Sequence, residues 1–241
     1  MGPDVTSSPF PLLAEIVHAT ARYLGALTVL DDRALAAPSA LPGWTRAHVV
    51  AHLSRNADAM TRVLAQAAEG EAASMYETAE VRDRDIDTTV AELDAGGLVA
   101  DAQESAATFE QAAASYGGPL DVPFSRVVGG PAQGTVADVG GMRRTEVEVH
   151  HADLLLDYAA AGWPEDFSRG LIGRRQAELG LDGPSMVLSS TDVDGLWKLG
   201  SGAGPEVKGT AGDLAWWLVG RGGGSGLVSS TGELPTIPRW R

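Results

Sequence analysis

Apolar residues in the first two thirds of the chain recur at helical spacing, and this periodicity constrains the fold more than any other feature. Apolar side chains three, four and seven residues apart place one face of a helix against a core. Residues 71–87 are instead polar and charged. Connections of very unequal length are typical of a helical bundle with at least one long crossover. The predicted helices cover residues 11–31, 45–70, 88–116 and 136–158.

The pattern changes after Gly162–Trp163–Pro164, where short apolar segments separated by turn residues replace the long helical repeats. Such segments are typical of β-strands, and a short helix capped by Thr210 follows them. The expected fold class is therefore α+β, with a helical bundle over residues 1–165 and a small C-terminal α/β domain over residues 166–241. The predicted strands cover residues 186–190, 196–200 and 206–210, and a further strand covers 124–128.

The composition excludes several kinds of chemistry. The 241 residues contain no cysteine, so the chain has neither disulfides nor cysteine ligands, and any thiol chemistry requires an external thiol. A formal net charge of −14 repels nucleic-acid phosphates and argues against nucleic-acid binding. The sequence shows no signal peptide and no apolar run long enough to cross a membrane, so we expect a cytoplasmic protein.

Three residues on two predicted helices form a pattern typical of a metal site. Glu146 and His150 are four residues apart, which places a carboxylate and an imidazole on one helical face. His52 lies on the apolar stripe of another helix. If the two faces meet, they supply the ligand set of a catalytic zinc with one open coordination position. A histidine on an apolar stripe is more often a core residue than a ligand, so the spacing alone leaves both interpretations open.

Other polar residues near these positions carry weaker signals. His48 and His52 belong to an HVVAH sequence that lacks the glutamate of zinc proteases, which argues against such a protease. His151 points about 100° away from His150 on a helix, so we expect a structural or supporting role for it. Asp153 follows His150 by three residues, where it would either support a ligand or remain an ordinary solvated carboxylate.

Arg221 stands at the end of the predicted short helix and directly before the glycines of Gly222–Gly224. An arginine beside a flexible loop can hold a carboxylate through two parallel hydrogen bonds. A cation near a helix C-terminus is also favourable in itself. From the residues alone, this second interpretation is the simpler one.

Separated segments of the chain resemble segments of one enzyme family. LPGWTRAHVVAHLSRNAD at 41–58 is similar to the N-terminal signature of that family, and RRTEVEVHHADL at 143–154 is similar to its second metal segment. MYETAEVRDRDI at 75–86 and WWLVGRGGGSGLVSSTGELPTIPRW at 216–240 extend the resemblance over nearly the whole chain. The family is that of the mycothiol-dependent maleylpyruvate isomerases, which are DinB-like metal- and thiol-dependent enzymes.

The resemblance implies a DinB-like four-helix bundle followed by a small α/β domain. It implies that His52, Glu146 and His150 bind Zn²⁺ or another divalent metal, and that mycothiol is the cofactor. It also implies that Arg221 binds a carboxylate of the substrate. Thr145 departs from the family pattern, since close relatives are expected to carry arginine there, and this difference concerns the substrate rather than the metal.

The implied reaction is the conversion of maleylpyruvate to fumarylpyruvate, a step of gentisate-type aromatic catabolism. A zinc-activated thiolate adds to the cis double bond, the resulting single bond rotates, and elimination gives the trans isomer. The expected partners are a small substrate carrying carboxylates and a low-molecular-weight thiol, without nucleic acid or membrane.

Alternative interpretations remain open at this point. A mycothiol S-transferase would use the same metal and thiol on an electrophilic small molecule but would leave the adduct intact. A non-catalytic binding module with a sterol-carrier-like C-terminal part would have a lipid-sized apolar cavity and no metal. Iron, nickel or manganese would suit two imidazoles and one carboxylate as well as zinc does.

Overall fold

The chain folds into helices and small sheets, and the computed structural model describes residues 8–238 and 240. These residues form two compact units that divide between Leu154 and Leu155. The mixed helix-and-sheet class predicted from the sequence is confirmed. The α-helices are α1 (Leu13–Leu27), α2 (Asp32–Leu35), α3 (Arg46–Ala68), α4 (Ala79–Glu92), α5 (Ala95–Ser115), α6 (Val139–Asp153), α7 (Glu165–Leu179) and α8 (Ala211–Leu218). The strands are β1 (Ala73–Tyr76), β2 (Pro123–Val127), β3 (Ala132–Thr135), β4 (Met186–Ser190), β5 (Leu196–Leu199), β6 (Glu206–Gly209) and β7 (Val228–Ser229).

Four long helices of the first unit pack around a shared core. Helix α3 contacts both α5 and α6, and α1 contacts the same two helices. The core side of α3 carries apolar residues at helical spacing, including Val49, Leu53, Met60 and Val63, each at most 1% exposed. Helices α1, α3, α5 and α6 confirm the four helices predicted from the sequence, each somewhat shorter than expected.

The polar connection predicted after the second long helix contains a further helix, α4. This helix begins after Thr78, whose hydroxyl accepts a hydrogen bond from the N–H of Val81 at 3.2 Å. Along its length it buries only Ile86 and Thr89. The sequence prediction was wrong here because a helix that buries so little has no apolar stripe to reveal it, and its visible signal is the N-cap.

The start of the third long helix also differs from the prediction, which placed it at residue 88. A break at Leu93 separates α4 from α5, and Asp94 then caps α5 by accepting a hydrogen bond from the N–H of Gly97 at 2.8 Å. The glycines Gly96 and Gly97 therefore lie in the first turn, where their low helix propensity matters less than it would in the helix interior.

Replacing Thr78 with alanine is expected to lower the free energy of unfolding by about 1 kcal/mol, because the N–H of Val81 loses its acceptor. Urea unfolding followed by circular dichroism measures this change. Thr88→Ala, at an exposed position of the same helix, is the matched control, and it should leave the free energy unchanged or slightly higher because alanine is the better helix former. An equal loss in both variants would show that Thr78 does not stabilise α4 as its cap.

A three-stranded sheet in the order β1-β2-β3 packs beside α3 in the first unit. β1 pairs with β2 in parallel, and β2 pairs with β3 in antiparallel orientation. β2 confirms the strand predicted at 124–128. β1 and β3 were not predicted, because β1 lies in the connection read as polar and β3 follows a segment rich in glycine and proline. β1 ends at Tyr76, whose side chain is buried.

The second unit contains a four-stranded sheet in the order β5-β4-β6-β7, with α7 and α8 packed together and α8 in contact with β4 and β6. β4 pairs with β6 in parallel, and the other two pairs are antiparallel. Strands β4, β5 and β6 and helix α8 confirm the predictions for this part. Helix α7 was not predicted, since its few buried apolar residues, such as Leu171 and Ile172, give only a weak helical pattern.

A glycine allows close packing at the start of α8. A Cβ atom on Gly212 would lie 1.9 Å from the carbonyl oxygen of Ala160, so only glycine fits where α8 passes this segment.

The domain boundary predicted after residue 165 stays a prediction. Among the described residues, no helix has both the length and the apolar character that crossing a membrane requires.

Candidate metal centre

Helices α3 and α6 bring the three predicted ligands together. His52 projects from α3, while Glu146 and His150 lie one turn apart on the facing side of α6. The Nε2 atom of His52 is 3.0 Å from Oε2 of Glu146, and Nε2 of His150 is 3.3 Å from the same oxygen. One ligand atom from each residue lies within 4.8 Å of the other two. Two positions almost a hundred residues apart in the chain therefore form one cluster.

The orientation of His150 is set by a buried carboxylate. Asp153, the last residue of α6, is fully buried, and its Oδ2 accepts a hydrogen bond from Nδ1 of His150 at 2.8 Å. This contact turns Nε2 of His150 towards Glu146. Carboxylates that hold the second nitrogen of a histidine in this way are common around metal ligands, because they fix the ring and its tautomer.

His52 is held by packing rather than by a second hydrogen bond. Its Nδ1 atom is buried and has no hydrogen-bond partner in the described part of the chain. The Trp44 ring lies 5.5 Å from the His52 ring, between centroids. The rings of His52 and His150 meet edge to face, with centroids 4.7 Å apart and an angle of 86°. The imidazole is therefore confined between an indole and the second histidine.

At two of the three positions, His52 and Glu146, the electrostatics of the cluster favour the protonation state that a metal ligand needs. Burial lowers the pKa of His52 to about 4, in spite of the opposing hydrogen bond with Glu146, so the imidazole is neutral at pH 7. Burial works against ionisation of Glu146, but the hydrogen bonds with His150 and His52 outweigh it and hold the pKa of Glu146 well below its usual range.

His150 carries a proton at neutral pH when no cation is bound. Burial alone would lower its pKa, but hydrogen bonds to Asp153 and Glu146 outweigh burial and raise the pKa of His150 to about 9. A metal ligand must offer a lone pair, so a cation entering the cluster displaces the proton from Nε2. The proton thus occupies the place that a metal would take.

The donor set fits a divalent transition metal. Two imidazole nitrogens and one carboxylate oxygen are the protein ligands of many catalytic zinc sites, which keep one coordination position open for substrate or water. The same donors also suit iron, nickel or manganese, so the set alone does not choose the ion. Within the described part of the chain, one cluster of side chains has its ligand atoms close enough together to hold a metal ion, and it consists of His52, Glu146 and His150.

The other histidines lie outside the cluster. His48 binds the start of α3 through Nδ1, which accepts from the N–H of Thr45 at 3.3 Å. His151 is buried on a different side of α6 and meets the Tyr23 ring edge to face, 5.8 Å away. His18 is exposed on α1. The histidine pair of the HVVAH sequence is therefore split between a capping role and the cluster.

Arg143, which the sequence places three residues before Glu146 and near the edge of the site, is tied closely to the centre. Arg143 is 2% exposed, and its Nη1 donates to the carbonyl of Leu53 and to Oδ1 of Asn56, both at 2.9 Å. Its guanidinium lies 5.7 Å from the Phe109 ring centroid. Burial lowers the pKa of Arg143, while the Glu146 carboxylate opposes that shift. The only signal in the sequence is the three-residue spacing between Arg143 and Glu146 on one helix.

Arg221 lies in the second unit, three residues after the end of α8. It is partly buried, and its Nη1 donates to the carbonyl of Val219 at 3.4 Å. The bond belongs to the turn that follows the helix, which agrees with a cation placed at a helix C-terminus. The substrate-binding role expected for Arg221 stays a prediction.

Comparisons with known proteins agree with the site. Residues 16–155 match the family described as the mycothiol maleylpyruvate isomerase N-terminal domain. Two solved structures are each 26% identical over 95% of both chains: a mycothiol-dependent maleylpyruvate isomerase, with a TM-score of 0.83, and an H52A mutant of such an enzyme, with a TM-score of 0.84. No curated protein sequence matches the chain. Since the matching family covers more than half of its residues, this chain belongs to the mycothiol maleylpyruvate isomerase family.

Proposed function

We propose that the protein is a cytoplasmic, metal- and mycothiol-dependent enzyme that isomerises maleylpyruvate to fumarylpyruvate. The observation that carries this proposal is the convergence of His52, Glu146 and His150, with ligand atoms within 4.8 Å of one another. The choice of maleylpyruvate as substrate and of mycothiol as thiol follows from the names of the similar solved structures, which are of mycothiol-dependent maleylpyruvate isomerase. Helices α1, α3, α5 and α6 would form the DinB-like bundle around the centre.

The reaction requires a temporary single bond. Rotation about a carbon–carbon double bond is too slow at ambient temperature, whereas rotation is fast once a nucleophile has added to one of the two carbons. The chain has no cysteine, so the nucleophile comes from outside the protein. A divalent metal with an open coordination position lowers the pKa of a bound thiol from about 8.5, so that the thiol is present as a thiolate at neutral pH.

The protein's own residues would hold and shield this centre. His52, Glu146 and His150 supply the ligand atoms, and Asp153 keeps Nε2 of His150 directed towards the cluster. Because burial keeps His52 neutral, its Nε2 would offer a lone pair once a cation replaces the hydrogen bond with Glu146 and the remaining proton sits on Nδ1. Arg221 would bind a substrate carboxylate and stabilise the enolate charge that develops when the nucleophile adds.

The direct test follows the isomerisation itself. Purified protein loaded with one equivalent of Zn²⁺ is incubated with maleylpyruvate, with and without mycothiol, and the formation of fumarylpyruvate is measured. Turnover that depends on mycothiol is the expected result. Metal-loaded protein that leaves maleylpyruvate unchanged would overturn the isomerase proposal. Stable mycothiol adducts of an electrophile, formed by the same protein, would then identify an S-transferase.

Replacing Asp153 with alanine is expected to weaken Zn²⁺ binding by about 10- to 100-fold, because His150 loses the acceptor that orients its ring. Competition with a chromophoric chelator measures the affinity. The matched control is Asp157→Ala, which removes an exposed carboxylate four residues later in the chain and should bind Zn²⁺ as the wild type does. Equal affinities for both variants and the wild type would show that Asp153 does not support the metal site.

A further inference from the structure

A cavity of about 330 Å³ lies wholly within the first unit, between α3, α4 and the end of β1. Its volume is at the lower end of the range for small-molecule sites. Its wall includes three arginines, Arg55, Arg62 and Arg82, and the buried side chain of Tyr76. None of the three candidate metal ligands lines it. The wall also carries three carboxylates, those of Asp58, Glu77 and Asp85.

Two of these arginines are already engaged. Arg55 forms ion pairs with Asp58 at 3.1 Å and with Asp101 at 2.5 Å, which ties α3 to α5. Arg62 donates through Nη1 to the carbonyl of Met75 at 2.5 Å. Both guanidinium groups therefore hold neighbouring elements together, and they have a structural reason to be where they are.

The guanidinium of Arg82 has N–H donors that are not used in hydrogen bonds. Only 17% of its side chain is exposed, and its Nε atom is buried without a hydrogen-bond partner among residues 8–238 and 240. The contact that it does make is a long one, 3.6 Å from Nη1 to the carboxylate of Asp83. The edge formed by Nε and Nη2 is thus left for another acceptor. That edge matches the two oxygens of a carboxylate, which it can bind through two parallel hydrogen bonds.

The cavity lies near the metal centre. Asn56 follows His52 by one helical turn on α3, and its side chain is close enough to Tyr76 in the cavity wall to lower the pKa of the phenol. Charged groups of each site also shift the pKa of a residue in the other. Burial is the main cause of the low pKa of His52, and the Arg82 cation adds to it. Burial likewise raises the pKa of Tyr76 to about 12, and the Glu146 carboxylate contributes.

Tyr76 therefore remains protonated at neutral pH and keeps an O–H that can donate a hydrogen bond. The acidic residues of the cavity do not cancel its preference for an anion. Asp58 is paired with Arg55, and Glu77 and Asp85 are exposed to solvent, where water and salt screen their charges.

We infer that this cavity binds a carboxylate of the electrophilic substrate, with the Nε–Nη2 edge of Arg82 as the main contact and the Tyr76 hydroxyl as a second donor. The inference rests on the proposed function and adds to it the residues that would recognise one carboxylate of the unsaturated dicarboxylic substrate. Arg82 would fix the substrate beside the metal centre from within the first unit, independently of Arg221. It is a specificity-determining residue, because it recognises a group that does not react.

Binding of maleate tests the inference without requiring turnover. Isothermal titration calorimetry is performed on Zn²⁺-loaded protein without mycothiol, using maleate and its uncharged dimethyl ester as probes. The ester does not alkylate cysteine here, because the chain has none. Arg82→Gln should weaken maleate binding by about 10- to 100-fold, as the loss of a charge-assisted hydrogen-bonded pair does. Arg82→Lys should fall between Arg82→Gln and the wild type, because it keeps the charge but not the planar edge.

Arg84→Gln is the matched control, since Arg84 is exposed on the same helix and does not line the cavity. It should bind maleate as tightly as the wild type does, and no variant should change the weak binding of the dimethyl ester. Equal maleate affinity for Arg82→Gln and Arg84→Gln, or no maleate binding by the wild type at millimolar concentration, would overturn the inference.

The maleate experiment and the isomerisation assay can fail separately. Arg82-dependent maleate binding by a protein that does not isomerise maleylpyruvate would support the carboxylate site and reject the proposed reaction. Turnover of maleylpyruvate with an unchanged KM in Arg82→Gln would support the reaction and reject the role of Arg82.

Discussion

Replacing His52 with alanine is expected to abolish stoichiometric Zn²⁺ binding and to lower mycothiol-dependent turnover of maleylpyruvate by more than about 100-fold. The removal of one of three protein ligands should exceed the 10- to 100-fold effect typical of residues that only support a ligand. The remaining pair, Glu146 and His150, lies on one helix and cannot enclose a cation from two sides. Metal analysis after dialysis and steady-state kinetics measure the two losses.

His48→Ala is the matched control for this variant, because it removes the same side chain one turn earlier on α3. His48 contacts Thr45 at the helix start and takes no part in the cluster. We expect the control to keep one metal per chain and most of the activity, with a small loss of stability. Full activity in His52→Ala, or an equal loss in both variants, would show that the cluster is not the catalytic centre.

Replacing Phe109 with alanine is expected to lower the free energy of unfolding by about 3–5 kcal/mol. Phe109 is 1% exposed in the core of the first unit, and its ring lies against the guanidinium of Arg143. The substitution removes a large apolar side chain from α5 and leaves a cavity beneath the arginine that is hydrogen-bonded to α3. Urea unfolding of the metal-loaded protein, followed by circular dichroism, measures the effect.

Val29→Ala is the control for Phe109→Ala, because Val29 is 83% exposed. A surface substitution of this kind should change the free energy of unfolding by no more than about 0.5 kcal/mol. A loss of less than about 1 kcal/mol in Phe109→Ala would mean that the core around α5 relaxes to fill the space. In that case the packing under Arg143 would not determine the stability of the first unit.

The elements that sequence reasoning recovered are those with a strong local signal. Helix α3 was predicted because its apolar residues recur at helical spacing over several turns. That pattern is a property of the helix's own sequence and does not depend on its packing partners. Helices α4 and α7 were not predicted, since each buries few apolar residues. For α4, the recoverable signal was the pair of capping residues Thr78 and Asp94, which mark where one helix begins and the next one starts.

The candidate ligands could be named from the sequence because of their spacing and their resemblance to a family, but their convergence could not. Spacing places Glu146 and His150 on one helical face, since that geometry is local. Whether His52 faces them depends on how α3 and α6 pack, and no local pattern encodes this. Asp153 was expected either to support a ligand or to be a solvated carboxylate, and its burial against His150 excludes the solvated interpretation.

The sequence by itself determined the helical first part, the strand-rich second part, the absence of a protein thiol and the identity of three potential ligands. The first three are properties of composition and of residues close together in the chain, whereas the three ligands were named from the spacing of Glu146 and His150 together with the resemblance to a family. Only the tertiary structure decided that the His52 imidazole stays neutral, that Arg143 is buried and that Arg82 keeps an unsatisfied edge beside Tyr76. The physical reason is that burial, charge–charge interaction and hydrogen-bond pairing all depend on neighbours distant in sequence, which packing alone brings within a few ångströms.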